Sequence, residues 1–267
     1  VEALNYYEQS LAISRDIGNR SQEGITLNQI GFIYKSQDSY VEALNYYEQS
    51  LAISRDIGDR AGESTTLHNI GGIYRSQDSY VEALNYYEQS LAISKDVGDH
   101  SQEGITLSQI GLLYYNQGND SKALSYFERA LAILREAGNH VHIFEMLNGV
   151  GLSYSNQGEY ENALLYFQQA LEIAQEIGDK PNEGLETFII GATHVRLGQS
   201  SQALDALQQS IPILKETNQE VLLEDVQIWM KKALDGLKEA LPTAEYQQRC
   251  SNVSQSSNLP LTELCPE

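Results

Sequence analysis

The chain has 267 residues, of which 41% are hydrophobic, enough to build a core in a folded, soluble protein. Its 17 Lys and Arg residues face 37 Asp and Glu residues, and the net charge of −20 would repel nucleic-acid phosphates and anionic lipid surfaces. No apolar run approaches the roughly 18 residues that a membrane span needs. We therefore expect neither nucleic acid nor a membrane as a partner.

The same stretch of sequence recurs at an interval of forty residues. SQDSYVEALNYYEQSLAIS occupies residues 36–54 and again residues 76–94, and residues 1–40 differ from residues 41–80 at nine positions. The register continues with more drift to residue 200. A fixed period of 20 to 50 residues is typical of repeat proteins, in which each unit buries its apolar face against the next copy. The sequence therefore predicts five tandem units and a different ending.

Each unit is predicted to contain two helices, which we name A and B. Apolar residues recur at every third or fourth position in residues 20–36, which predicts helix A, and again in residues 40–57, which predicts helix B. The chain begins inside a unit, because residues 2–16 already carry the helix B pattern. We therefore expect the sequence to be a fragment of a longer protein.

Turn residues separate the predicted helices. Gly58, which has copies at the same place in the other units, predicts the end of helix B, and Asp59 is suited to cap the next helix. The turn between A and B holds Asp38 and Asp78 in two early units and Gly118 in a later one, which indicates a residue with positive φ. Each unit is thus predicted to be a pair of antiparallel helices.

The ending departs from the repeats. Pro212 lies in the fifth helix B and is expected to kink it, because proline has no backbone donor. Residues 219–240 keep an apolar stripe without the repeat motif, which predicts a capping helix. Residues 241–267, rich in Ser, Gln and Asn, are predicted to be a flexible tail or linker. The predicted domains are therefore a repeat array over residues 1–218, the capping helix and the tail.

Residues that carry chemistry form no recognisable catalytic or metal-binding motif. His140 and His142 are the only close histidine pair, and they would point to different faces of a helix. Cys250 lacks a neighbouring base in the sequence. We therefore expect no enzymatic activity, no cofactor and no metal site. Cys250 and Cys265 both lie outside the repeats, which favours a reducing cytoplasm and leaves open whether the two form a pair.

A short motif recurs in the first four units, represented by Leu27, Ile30, Gly31, Tyr34, Ala43 and Tyr47. This motif resembles the tetratricopeptide repeat, whose usual period is 34 residues. The longer period is similar to that of the Leu-Gly-Asn-repeat polarity adaptors and of bacterial regulatory arrays, some of them fused to caspase-like proteases. The resemblance covers residues 1 to about 215. It implies an all-α, right-handed superhelix (α-solenoid) of antiparallel helix pairs that serves as a scaffold for protein–protein interactions.

The resemblance also implies that helices A line a concave groove that binds an extended peptide. Carried over residue by residue, the peptide-binding positions are Asn28, Gln29, Phe32 and Lys35 in the first unit, His68, Asn69 and Arg75 in the second, Ser108, Gln109, Leu112 and Tyr115 in the third, and Asn148 in the fourth. Carboxamides one repeat apart can pair with successive peptide groups, whatever the ligand's side chains. The charges of Lys35 and Arg75 would favour an acidic or carboxylate-bearing peptide.

Two other functions remain open. The helix B at residues 2–16 is expected to leave Ala3, Leu4, Tyr7 and Leu11 partly uncovered, which would suit a structural array that stacks end to end by self-association. In the second alternative, the chain is the sensor or regulatory arm of a larger multidomain enzyme, such as a caspase-like protease. A full-length sequence would separate this last function from the others.

Overall fold

The computed structural model describes residues 2–138, 140–238 and 240–257 together with Cys265. These residues form thirteen α-helices, with no strand among them, and the predicted all-α fold is confirmed. The chain divides into two compact units, residues 1–139 and residues 140–267. None of the described helices is long and apolar enough to cross a membrane.

The first unit contains helices B and A in alternation, and each packs against the next one along the chain. They are α1 (Glu2–Asp16), α2 (Arg20–Ser36), α3 (Tyr40–Asp56), α4 (Arg60–Ser76), α5 (Tyr80–Val97), α6 (His100–Asn116) and α7 (Asp120–Glu136). The predicted bounds of 20–36 and 40–57 agree with α2 and α3 to within one residue. Helices A also contact one another, α2 with α4 and α4 with α6.

The second unit continues the alternation and ends in two helices of another kind. Its helices are α8 (His140–Asn156), α9 (Tyr160–Glu176), α10 (Lys180–Arg196), α11 (Ser200–Glu216), α12 (Glu220–Lys238) and α13 (Thr243–Ser257). Helix α12 packs on both α10 and α11, where a further helix A would lie, and it buries Val226, Met230 and Ala233. The helix lies where residues 219–240 were predicted to form a capping helix, and its role as a cap stays a prediction.

In four of the five helices A, a glycine lies against a ring of the following helix B, whereas Gly191 of α10 lies against Leu207. A Cβ atom at Gly31 would lie 2.8 Å from the ring of Tyr47, and one at Gly111 would lie 2.6 Å from the ring of Phe127. Both rings are fully buried. Only glycine allows this approach, because a Cβ–carbon distance below 3 Å is a steric overlap. The Leu-Gly-x-x-Tyr part of the motif is therefore explained by packing of the ring on the helix backbone.

We expect Gly111→Ala to lower the free energy of unfolding by about 1 to 3 kcal/mol, because the added methyl overlaps a rigid, buried ring. The measurement is urea-induced unfolding followed by circular dichroism. Gly24→Ala is the matched control, since its Cβ would come no closer than 3.2 Å to any atom, the nearest being Cγ2 of Ile53, and alanine favours a helix. Equal stability of the two variants would contradict the proposed packing role.

The predicted turn conformations are confirmed. Asp38 and Asp78 both have φ of 56°, and Gly118 at the corresponding place has φ of 71°. The Asp38 carboxylate accepts a hydrogen bond from the Tyr40 hydroxyl at 2.8 Å, which stabilises an aspartate in this otherwise unfavourable conformation. Asp59 caps α4 as expected, because its carboxylate accepts from the backbone N–H of Gly62 at 2.9 Å.

Helix α11 runs through Pro212 without a break in its bounds. Pro212 is exposed, and it has no N–H to donate to the carbonyl four residues earlier in the helix. Water can satisfy such a carbonyl, and this lowers the cost of a proline within the helix.

The structure differs from the predicted flexible tail over residues 241–267, because helix α13 occupies residues 243–257. Tyr246, Cys250 and Val253 form a buried stripe on this helix, which packs on α11 and α12. Three apolar positions among Ser, Gln and Asn were too few to predict a helix. The rest of the predicted tail, residues 258–264, 266 and 267, lies outside the described residues.

Cys250 of α13 forms a disulfide bond with Cys265, a pairing that the sequence left open. The bond lies outside the repeats, so it does not cross-link the helix pairs. Disulfides persist mainly in oxidising compartments, and this bond therefore weighs against the predicted cytoplasmic location.

Candidate functional site

Eleven of the twelve predicted peptide-binding residues lie on the three helices A of the first unit, α2, α4 and α6. The twelfth, Asn148, lies on α8 in the second unit. Because α4 contacts both α2 and α6, the structure brings the predicted residues of the first unit onto neighbouring helices. Binding of a peptide by these residues stays a prediction.

Some of these side chains are accessible. Phe32 is 59% exposed, Gln29 is exposed, and Gln109, Leu112 and Tyr115 are half-buried. The side chains of Gln29 and Gln109 make no hydrogen bond to other residues in the described part of the chain. Their carboxamides are therefore available to a ligand.

Other predicted residues already hold neighbouring helices A together. Asn28 donates to the Thr66 hydroxyl at 2.8 Å, and Asn69 donates to the Asn28 carbonyl oxygen at 2.9 Å. The His68 ring makes a similar contact, 3.1 Å from Nδ1 to the Thr106 hydroxyl. The predicted row of free carboxamides is therefore incomplete, because the amide nitrogen of Asn69, in the second of the sequence repeats, already donates a hydrogen bond to Asn28.

Ser108 is 1% exposed, and its hydroxyl donates to the Ile105 carbonyl at 2.7 Å. A ligand at the surface cannot reach this side chain without a rearrangement of the helix packing. Ser108 is therefore placed in the core of the first unit.

In the second unit, Asn148 makes the equivalent contact with a buried carboxyl group. Its amide donates to Oε1 of Glu186, while Oε2 has no partner among the described residues. Glu186 is 0% exposed and occupies the place that Thr66 and Thr106 hold in the first unit. Burial raises the pKa of Glu186 from 4.5 to about 7, although the bond from Asn148 opposes the rise. Burial without a positive partner disfavours the charged form.

We expect Glu186→Gln to stabilise the protein above pH 7. The pKa of Glu186 is about 7 in the folded protein and 4.5 in an exposed glutamate, so the folded state binds more protons between these values. The stabilisation due to protonation is complete below the lower pKa and is lost as the pH rises through the upper one. Removing the titration should raise the free energy of unfolding at about pH 8 by on the order of 2 kcal/mol.

The measurement is urea unfolding of both proteins across this pH range. Glu145→Gln, which changes an exposed glutamate of α8, is the control and should leave the pH profile as it is. A pH profile of Glu186→Gln identical to that of the unmodified chain would show that Glu186 is ionised in the fold.

A cleft of about 400 Å³ opens beside the exposed Gln29. It is lined by α2, by the end of α3 and by the first turns of α4, through Gly24, Ile25, Asn28, Gln29, Ser50, Ser54, Asp59, Ala61, Gly62, Thr65 and Thr66. Two of the predicted peptide-binding residues, Asn28 and Gln29, are therefore part of its wall.

Gly62 contributes no side chain to the wall of the cleft. The equivalent residues of α2 and α6 are glutamines, and each covers a threonine: Gln22 donates to Thr26 at 3.3 Å, and Gln102 donates to Thr106 at 3.1 Å. Nothing from residue 62 covers Thr66 in this way. The exposed Thr65 stands where the other two helices have isoleucine, which makes the opening more polar.

The nine positions at which residues 1–40 and 41–80 differ point to this region. In the second copy they are Asp59, Ala61, Gly62, Ser64, Thr65, His68, Asn69, Gly72 and Arg75, all of them on α4 or at its N-cap. Helix B is identical in the two copies. Gly62 and Thr65 were absent from the predicted site, although the comparison of the two copies could have indicated them.

The tetratricopeptide repeat family matches the chain over residues 1–56, 62–136 and 142–216, well over half of its length. The chain belongs to the tetratricopeptide repeat family. Its period of forty residues is longer than the usual 34 of this family. A comparison with curated proteins finds no significant match.

Solved structures share the tetratricopeptide fold at low identity. BtubC (BKLC) from P. vanneervenii is 14% identical with a TM-score of 0.73, over 80% of this chain and 91% of that one. A signal transduction ATPase (STAND) with a tetratricopeptide repeat sensor, from Pyrococcus horikoshii, is 17% identical with a TM-score of 0.73, over 96% of this chain and 38% of that one. The Rap conjugation gene regulator of plasmid pLS20, in complex with the Phr* peptide, is 18% identical with a TM-score of 0.57, over 94% and 72%.

Within the described residues, no group of three or more His, Cys, Asp or Glu side chains is placed to hold a metal ion. The side chains of the cleft are neutral amides, hydroxyls and apolar groups, apart from Asp59, which caps α4. Such a surface can donate and accept hydrogen bonds, which suits recognition of a polypeptide backbone.

Proposed function

We propose that this tetratricopeptide repeat protein is a non-catalytic interaction scaffold, and that helices A of its first unit bind an extended peptide segment of a partner protein. The observation that carries the proposal is the cleft of about 400 Å³ beside Gln29. A cavity of this size falls in the range of known ligand pockets and can take one large side chain. The free carboxamides of Gln29 and Gln109 would hold the backbone of the peptide on either side.

The comparisons support this proposal by analogy. One of the similar structures, the Rap regulator of plasmid pLS20, is a complex with a peptide. At 18% identity the likeness concerns the fold, so the ligand of that protein does not identify the ligand here. The fold contributes a row of neighbouring helices A. Their exposed side chains vary from repeat to repeat, while each helix A packs on its helix B in the same way.

We expect Gly62→Gln to weaken peptide binding by about tenfold or more, because the new side chain would fill the cleft as Gln102 covers Thr106. A Cβ at residue 62 would lie 2.2 Å from a carboxylate oxygen of Asp59, so this side chain must turn aside. The third copy shows that the fold can hold such an arrangement, because Asp99 caps α6 through the backbone N–H of Gln102, while Thr106 contacts both Gln102 and His68. The peptides would come from a library of random twelve-residue sequences selected on the full 267-residue chain. Calorimetry then measures the affinity of the strongest peptide for each variant.

Gln29→Ala with Gln109→Ala should also cost on the order of tenfold, since each amide bond contributes about 0.5 to 1.5 kcal/mol. Gln89→Ala is the matched control, because it removes an exposed amide from helix B, where Gln89 donates only to its own helix. Full affinity in both Gly62→Gln and the double variant would exclude this face as the peptide site. A selection that yields no binding peptide would contradict the proposed function itself.

Self-association is a second candidate function, because α1 exposes apolar side chains that its copies bury. Ile13 is 61% exposed, whereas Ile53 and Ile93 at the same place are 4% and 7% exposed. Leu11, which we expected to be partly uncovered, is buried, and Leu4 and Tyr7 are half-buried against α2. The exposed apolar residues of α1 are therefore Tyr6, Ile13 and the adjacent Ile17, together with the small Ala3.

A contact between the α1 faces of two chains would be isologous and would close after two copies. At the other end of the repeats, α12 packs on α10 and α11 but exposes Val221 and Ile228, so the open array that the sequence suggested also stays a prediction.

We expect Tyr6→Glu with Ile13→Glu to abolish any concentration-dependent dimer, since two buried carboxylates would face each other across the contact. Sedimentation velocity over a range of protein concentrations measures the association. Val81→Glu is the control, because Val81 is an equally exposed residue on another helix B. A strict monomer at every concentration of the unmodified chain would remove self-association as a function.

The remaining predictions stay as the sequence left them. A role as the sensor arm of a larger enzyme requires the full-length sequence, and the likeness to the Pyrococcus horikoshii ATPase with its repeat sensor concerns the fold alone. The cytoplasmic location is also still a prediction, against which the bond between Cys250 and Cys265 weighs.

A further inference from the structure

Two tyrosine rings stack on each other wherever a helix A of the first unit meets the following helix B. The rings are nearly parallel, their centroids are 5.3 to 5.5 Å apart, and the three pairs, in chain order, are Tyr34–Tyr46, Tyr74–Tyr86 and Tyr114–Tyr126. We call them the first, second and third tyrosine pairs. All six rings are half-buried, and none of them lines the cleft beside Gln29. The tyrosine pairs therefore offer a partly open aromatic surface outside the proposed peptide site.

The third tyrosine pair is in contact with cations of the chain itself. Nζ of Lys122 lies 4.7 Å from the centre of the Tyr114 ring, and Cζ of Arg129 lies 5.3 Å from the centre of the Tyr126 ring. Both distances are within the roughly 6 Å over which an aromatic ring attracts a cation. Lys122 and Arg129 belong to α7, the helix B of this pair. A tyrosine pair at this place can therefore accommodate two cationic side chains.

The first and second tyrosine pairs lack these cations. The two cations of α7 are replaced by a glutamate and a glutamine, which are Glu42 and Gln49 in α3 and Glu82 and Gln89 in α5. In the described part of the chain, no Lys or Arg lies over a ring of these two pairs. Burial raises the pKa of Tyr86 and Arg55 opposes the rise, but the guanidinium of Arg55 pairs with Glu63 at 2.8 Å. The rings of the first two pairs are therefore left for a cation from outside the chain.

Carboxylates lie near the first and second tyrosine pairs. Burial and the stacked ring raise the pKa of Tyr34, as do the negative charges of Glu8 and Glu42. Burial, the stacked ring and the charge of Glu48 also raise the pKa of Tyr86. Helices α1, α3 and α5 each carry three acidic residues and one basic residue, whereas α7 carries three of each. The chain thus balances the charge of helix B only at the third pair.

We propose that the first and second tyrosine pairs are a docking surface for a basic segment of a partner protein, which places one Lys or Arg side chain over the rings of each pair. The cations would lie where Lys122 and Arg129 lie at the third pair. The net charge of −20 attracts such a segment, and the carboxylates near the rings complement its charge. The docking surface does not include the cleft, so it does not depend on the function proposed above.

The repeat determines how far apart the cations of the partner have to be. The first and second tyrosine pairs are on neighbouring copies of one motif, because α2 packs on α4. Packed helices lie about 8 to 10 Å apart, so equivalent points of the two pairs are separated by about this distance. An extended chain covers it in about three residues. The matching segment therefore carries Lys or Arg at every third position.

The first experiment titrates the full chain with acetyl-Arg-Ser-Ser-Arg-Ser-Ser-Arg-amide and follows the NMR signals of the tyrosine rings. We expect the signals of Tyr46 and Tyr86 to shift and saturate together, and the signal of Tyr126 to stay, because Arg129 already lies over that ring. The same peptide with Glu in place of Arg is titrated in parallel and should move none of them. Unmoved signals of Tyr46 and Tyr86, or an equal shift of Tyr126, would overturn the docking surface.

The second experiment measures the affinity of the arginine peptide by calorimetry for Glu42→Lys with Glu82→Lys. This double variant gives both pairs the residue that α7 has at Lys122, so the fold should hold it and the new ammonium groups should occupy the rings. We expect at least a fivefold loss of affinity, or about that much. Asp56→Lys with Asp96→Lys is the matched control, because it changes the net charge equally at exposed positions at the end of the same helices. An equal loss in the control would mean general charge attraction and would reject the docking surface.

The third experiment tests the rings without a change of charge. Tyr46→Leu with Tyr86→Leu should weaken the arginine peptide about fivefold or more, whereas phenylalanine at both positions should keep the affinity, because it keeps the aromatic face. Tyr126→Leu with Tyr166→Leu is the matched control, since it removes the equivalent rings of two other stacked pairs. Circular dichroism checks that each variant is folded. Full affinity in folded Tyr46→Leu with Tyr86→Leu would reject the docking surface.

Discussion

The contact between a helix A glycine and a buried ring of the next helix B is the constraint on which the rest of this structure depends. Where a Cβ would lie 2.6 Å from Phe127, at Gly111, the ring packs directly on the helix backbone. This contact fixes both the rotation of helix A and its distance from helix B. The opposite side of helix A is thereby turned away from the ring, and some of its residues, such as Gln29 and Phe32, are exposed.

Repetition explains why the helices could be predicted so closely from the sequence. The glycine after each helix B and the positive-φ residue after each helix A recur in step, so α2 and α3 begin where the pattern predicted. Helix α13 lacks a copy elsewhere in the chain, and its stripe of Tyr246, Cys250 and Val253 is short, so the sequence predicted no helix there. Its packing depends on apolar surface offered by α11 and α12, which no local pattern reveals.

The candidate site was predictable in its helices and not in its details. The sequence placed the peptide-binding residues on helices A, but it could not show that Asn28 and Asn69 are hydrogen-bonded to each other. These contacts join residues about forty positions apart, and they depend on which side chain lies opposite on the next helix. The cleft is lined in part by Gly62, which has no side chain. A prediction that searches for side chains able to bind a ligand gives no weight to a glycine.

The two nearly identical copies show how such an array can acquire specificity. All nine differences between them lie on α4 or its cap, and four of these residues line the cleft. Helix B can stay identical because it provides the buried ring and the acidic outer surface, neither of which needs to differ between units. Gly62 faces Asp59 and Ser54 and not the glycine–ring contact, so a residue can change there while the ring packing is kept. The cleft therefore lies on a helix whose position is already fixed by that packing.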